Sequence, residues 1–308
     1  MKKLSMLLVA PLMSLCVIGL ATAKPVKNKY GVTQNGKMPA EALEDLSQEI
    51  IRTKQGMTQQ HYEDIVANPK NSTNDSEKLA ALSSREIFIL VDRSGSMSAS
   101  DDNPLLSSDK RQSGSWTRWD SARVAAESIM ELALSMDKDG EVELVFWSGG
   151  FGTSLKKKTV SSVDSIGKMF RKYSPGGSTP LAQVLEKTYK KRLKGLLQKN
   201  EPFTVIVLTD GSPDDQDRVK RFFKKIVEDH HLDQPGRETL AAFSFIRMGD
   251  DYGAIQFLED LDDNLMAEMN IKADIVDTKE DNFLFGTGKF AGQSSVGPFV
   301  VFWDAIFD

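Results

Sequence analysis

The chain is almost without cysteine. Cys16 is the single one among 308 residues. No disulfide can form within one copy, and no cysteine set can hold zinc or an iron–sulfur cluster. Histidine is scarce as well. His61, His230 and His231 are the only three, and their spacing suits no zinc centre. A basic excess is missing: 39 Lys and Arg stand against 44 Asp and Glu, a formal net charge of −5. Nothing in that balance calls for nucleic acid as a partner. Catalytic signatures are also lacking. No G-x-S-x-G elbow surrounds a serine. Gly286-Thr287-Gly288-Lys289 has part of a phosphate loop, but Phe283 stands where its first glycine belongs and Phe290 replaces the Ser or Thr.

Long apolar runs are limited to one, residues 4–20. It follows Lys2-Lys3 and ends at Ala21-Thr22-Ala23. A basic head, an apolar middle and an A-x-A exit are the layout of a secretory signal cleaved after Ala23. Cys16 lies inside this run behind Leu15, where a lipidation signal needs a small residue. Cleavage would take two basic residues and no acidic one, moving the net charge from −5 to −7. The mature chain is therefore expected to be exported, periplasmic or secreted, and free of cysteine. A core or a bound metal must hold it together. No later run approaches the ~20 apolar residues that cross a bilayer, so no transmembrane segment is expected in the mature chain.

Past the signal, residues 24–83 read as an N-terminal extension, with a polar start and one or two amphipathic helices within 39–67. Residues 68–76 read as a polar loop. Beyond them strands alternate with helices. Residues 87–91, 142–147, 203–208 and 240–246 are short apolar runs, as expected of strands covered on both faces. Residues 155–160 read as an edge strand guarded by Lys156, Lys157 and Lys158, and 273–276 as a last short strand. Helices are expected over 119–136, 161–173, 180–197, 216–230 and 252–265, with a helical C-terminal extension over 279–308. This alternation predicts an α/β fold: a doubly wound, mostly parallel sheet with helices on both faces, preceded by a short helical extension. In such sheets ligands bind outside the carboxyl ends of the strands.

Five oxygen-bearing residues gather at those predicted ends. Asp92, Ser94 and Ser96 lie in Asp92-Arg93-Ser94-Gly95-Ser96. Thr179 lies in Gly176-Gly177-Ser178-Thr179-Pro180, and Asp210 in Thr209-Asp210-Gly211. Three hydroxyls and two carboxylates suit a hard divalent cation. Each piece alone is an ordinary turn or helix cap.

Their order and strand contexts together resemble the metal-ion-dependent adhesion site of von Willebrand factor type A domains. The resemblance covers roughly residues 84–278 of a domain spanning 84–308. It implies a divalent cation, Mg²⁺ first and Mn²⁺ or Ca²⁺ as alternatives. Ser94, Ser96 and Thr179 would be its neutral ligands. Asp92 and Asp210 would act through water, through the hydroxyls or directly. An open position would capture an Asp or Glu carboxylate of a protein partner, with no catalysis expected. One departure is the long loop over 98–115, which delays the next helix to about Thr117. Asp101, Asp102 and Asp109 in it offer an internal cap as an alternative. An accessory role in an enzyme machine is a third reading.

Overall fold

The computed structural model describes residues 38–103, 114–150, 152–287, 290 and 296–307. The signal segment 1–23, Asp109, and Gly288 with Lys289 lie outside the described residues.

Six strands form one sheet. They are β1 (Glu86–Asp92), β2 (Val142–Ser148), β3 (Ser154–Val160), β4 (Phe203–Thr209), β5 (Ala241–Arg247) and β6 (Val276–Glu280). Their order is β3-β2-β1-β4-β5-β6. All pairings are parallel except that of β3 with β2.

Alternation along the central strands builds two cores. On β1, Ile87, Ile89 and Val91 face one side, and Phe88 and Leu90 face the other. On β4, Ile206 and Leu208 face the first side, and Val205 and Val207 the second. A period of two on a strand buried on both faces leaves no polar position to spare, hence the continuous apolar runs.

The first face is covered by α4 (Arg118–Met136), α5 (Asp164–Lys172) and α12 (Pro298–Phe307). Among the described residues three α-helices precede the sheet: α1 (Ala40–Gly56), α2 (Gln59–Ala67) and α3 (Asp75–Leu82). Leu46 and Ile50 of α1 and Leu79 and Leu82 of α3 are buried in the same core as β1. The second face is covered by α6 (Leu181–Thr188), which continues through a π-helical turn (Tyr189–Leu193) into α7 (Lys194–Gln198). Beside it lie α8 (Gln216–His230), α9 (Tyr252–Asp263) and α10 (Leu265–Met269).

Three expectations change. Residues 75–82 form α3, whereas the loop was expected to reach residue 76. Asn74 caps that helix, its side chain accepting from the Ser76 N–H at 3.0 Å. The last strand is Val276–Glu280, not 273–276. Only Val276 and Asp277 of it are buried, and the pairing with β5 runs over its polar residues, where apolar pattern gives no signal. The segment from Lys279 therefore does not begin as helix. The short α11 (Asp281–Phe285) and then α12 follow the strand.

The loop after Ser96 starts with a 3₁₀ turn (Gly95–Ser98). Its described ends are pinched together. Ser100 bridges Thr117 in antiparallel fashion, the Asp101 N–H donates to the Trp116 carbonyl at 2.9 Å, and the Arg118 N–H donates to the Ala99 carbonyl at 3.0 Å. A capping box then starts α4. The Thr117 hydroxyl accepts from the Asp120 N–H, and the Asp120 carboxylate accepts from the Thr117 N–H at 3.0 Å. Such a cap contributes about 1 kcal/mol.

Candidate metal centre

β1 and β4 are hydrogen-bonded neighbours, so their carboxyl ends lie side by side. Asp92 is the last residue of β1 and Asp210 the first beyond β4. Both are fully buried. Each oxygen of Asp92 has a partner: the Ser94 N–H at 2.7 Å and the Thr209 hydroxyl at 2.7 Å. The Ser94 and Ser96 hydroxyls are 3.0 Å apart. Ser96 donates to one oxygen of Asp210 at 2.8 Å. Arg118 Nη1 donates to the other at 3.0 Å. Thr209, Asp92, Ser94, Ser96, Asp210 and Arg118 thus form one continuous polar chain across the two strand ends.

Thr179 reaches the same spot from its own loop. Three backbone bonds hold that loop to the strand ends. The Gly176 N–H donates to the Arg93 carbonyl at 2.7 Å, the Gly95 N–H to the Gly177 carbonyl at 2.9 Å, and the Gly149 N–H to the Ser178 carbonyl at 2.9 Å. Gly177 must be glycine. Its φ is +96°, and a Cβ there would come within 2.0 Å of the Gly149 carbonyl oxygen. Asp214 closes the loop from the other side, accepting the Thr179 N–H at 3.2 Å while its own N–H donates to the Thr179 carbonyl at 3.0 Å. A Cβ on Gly211 would lie 3.6 Å from Ser96 Oγ and 3.8 Å from Thr179 Oγ1. The two hydroxyls therefore flank the same bare stretch of backbone.

All five residues singled out in the sequence meet here. Burial pushes the Asp92 carboxyl up to about 7, against the pull of the Ser94 N–H and the Thr209 hydroxyl and with help from nearby Asp210. Burial also raises Asp210, against the pull of Arg118 and Ser96. Two buried carboxylates with a single guanidinium, held on Asp210, favour more positive charge. The set is all oxygen, three neutral hydroxyls and two carboxylates, and it fits a hard divalent cation. Among the described residues, no group of three or more His, Cys, Asp or Glu is placed to hold a metal ion. With only two carboxylates, this set is of another kind.

Other residues have different roles. The Asp101 carboxylate is engaged by its own loop and helix, accepting from the Ser121 hydroxyl at 2.6 Å and from the Asp102 N–H at 2.9 Å. Arg93, at the variable position of the first motif, donates to the Ser174 carbonyl at 2.9 Å and so helps hold the Thr179 loop. Thr209, Asp214 and Arg118 join the site without having been singled out. Thr209 was visible as the neighbour of Asp210. Arg118 gave no signal, being 92 residues from its partner.

Residues 87–212 match the family model described as von Willebrand factor type A domain. Solved structures similar to the chain include the SpRpn10 VWA domain, at 13% identity over 64% of this chain and 87% of that one, TM-score 0.42. Manganese-loaded TRAP protein of Plasmodium vivax is similar at 15% identity over 70% and 74%, TM-score 0.44. An aerotolerance-related membrane protein of Bacteroides fragilis is similar at 15% identity over 54% and 68%, TM-score 0.35. Likeness at this level carries no argument about function. No curated protein matches the chain.

Proposed function

We propose that this chain is an exported, non-enzymatic binding module that captures a carboxylate of a protein partner through a divalent cation. The observation carrying the reading is the meeting of Asp92, Ser94, Ser96, Thr179 and Asp210 at two adjacent strand ends. Ser94, Ser96 and Thr179 would hold the ion by their hydroxyls. Asp92 and Asp210 would orient those hydroxyls or its water. When bound, the cation supplies a Lewis-acidic position for an Asp or Glu side chain. Neutral ligands leave such an ion little neutralised, which favours an anionic sixth ligand. Mg²⁺ suits the set first, with Mn²⁺ and Ca²⁺ as alternatives.

Export rests on Lys2-Lys3, the apolar run 4–20 and Ala21-Thr22-Ala23. Among the described residues no helix is long and apolar enough to cross a membrane. The internal-cap reading gains nothing from Asp101, which is engaged by Ser121.

The test is capture from an envelope extract of the host by immobilised protein. A partner held in Mg²⁺ should be released by EDTA and not be held by the Asp92→Ala variant. A partner retained equally in EDTA sinks the metal-mediated reading.

A further inference from the structure

The loop that leaves the site after Ser96 returns to it carrying a cation. The Ser100–Thr117 bridge and the Arg118 N–H to Ala99 carbonyl bond bring the chain back to its point of departure. The capping box at Thr117 and Asp120 then fixes Arg118 as the first residue of α4. Its side chain, only 12% exposed, crosses the backbone at Gly249. A Cβ on Gly249 would come within 2.5 Å of Arg118 Nε and 3.2 Å of its Cδ and Cζ, and Gly249 has a φ of +71°. The stem thus lies in a groove that only glycine leaves open.

At the far end the guanidinium has one strong partner. Nη1 donates to Asp210, whose side chain is fully buried, at 3.0 Å. Nη2 reaches Asp250 at 3.4 Å, but that carboxylate is 98% exposed and holds little in water. Nε is buried and makes no hydrogen bond. The nearby Asp101 carboxylate accepts from Ser121. What orients the guanidinium is therefore one oxygen of a candidate metal-site carboxylate.

We propose that Arg118 is a tethered competitor of the divalent cation and sets the site's affinity for it. The inference rests on the metal-binding reading of the preceding subsection. In the metal-free protein Arg118 neutralises Asp210, a carboxylate whose burial would otherwise be costly. A dication entering between Asp92 and Asp210 meets that positive charge close by and must compete with it for Asp210. Arg118 therefore stabilises the metal-free state and keeps cation binding weak and reversible. A partner's carboxylate, binding only the loaded site, would then report on cation concentration.

The test compares wild type with Arg118→Gln and Arg118→Met, the latter keeping an aliphatic stem over Gly249. Mg²⁺ affinity is read by titration calorimetry, and melting temperature in EDTA and in saturating Mg²⁺. Removing a unit charge a few ångströms from the ion is expected to tighten Mg²⁺ binding by about tenfold or more. Both variants should melt below wild type in EDTA, and Mg²⁺ should narrow or close that gap. Wild type that binds Mg²⁺ while the variants bind no more tightly, with an equal melting deficit in both conditions, overturns the inference and leaves the metal reading standing. Absence of divalent binding in all three proteins overturns both.

Discussion

Asp92 and Asp210 are buried carboxylates whose oxygens are all directed. Asp92 has spent both on the Ser94 N–H and Thr209, which makes it a brace. Thr179 is different, because its backbone is held by Asp214. Its hydroxyl can therefore be removed without disturbing the loop. Thr179→Ala is expected to melt like wild type in EDTA and to lose the Mg²⁺-induced rise, measured by thermal denaturation. Equal rises in both proteins would remove Thr179 from the ligand set. Gly177 carries a different kind of constraint. With φ at +96° and a Cβ 2.0 Å from the Gly149 carbonyl oxygen, Gly177→Ala should cost roughly 2–4 kcal/mol in a denaturant titration. A cost below about 0.5 kcal/mol would mean the loop simply moves aside.

The elements divide into those that apolar pattern reveals and those it hides. β1 and β4 were legible because both faces are covered and every position past Glu86 on β1 must be buried. Amphipathic helices such as α5 and α8 announce themselves by their buried stripes. β6 did not, since it pairs through Thr278, Lys279 and Glu280 with the end of β5. A strand whose partners are backbone atoms needs no apolar side chains. The five site residues were legible because each sits in a short contiguous motif. Arg118 was not, because its role depends on how a long loop closes. The N-terminal helices are bound more firmly than a loose extension would be. Leu46 is fully buried in the core that contains Ile89. Leu46→Ala should therefore cost about 2–5 kcal/mol, against well under 1 kcal/mol if α1 merely rests on the domain. Tyr252, 70% exposed at the start of α9, lies two residues after Asp250, which faces Arg118. An exposed aromatic this near in sequence to a residue facing Arg118 is the kind of residue that anchors interfaces. Tyr252→Ala should leave the melting temperature unchanged and weaken partner capture.

For the whole molecule, buried acid is the recurring cost. Besides the site, burial pushes Asp137, Asp277 and Asp281 up to about 7, well above the ordinary ~3.9 of an aspartate. A carboxyl raised by folding holds its proton more tightly in the folded chain than in the unfolded one. Its contribution is then most favourable below about pH 4, falls as pH rises to about 7, and is constant beyond. Asp277→Asn removes one such group. The variant should gain on wild type between pH 4 and pH 7 in urea titrations, whereas a difference independent of pH would show that Asp277 is not raised. The same shortage of positive charge at Asp92 and Asp210 is what a divalent cation would relieve, and that claim can be tested without knowing any partner. Titration calorimetry of Mg²⁺ into wild type and Thr179→Ala is the direct measurement. One site with Kd of order 10⁻⁴–10⁻³ M, the range of weak extracellular cation modules, is expected in wild type and none in the variant. No binding in wild type, or the same binding in both, would contradict the account.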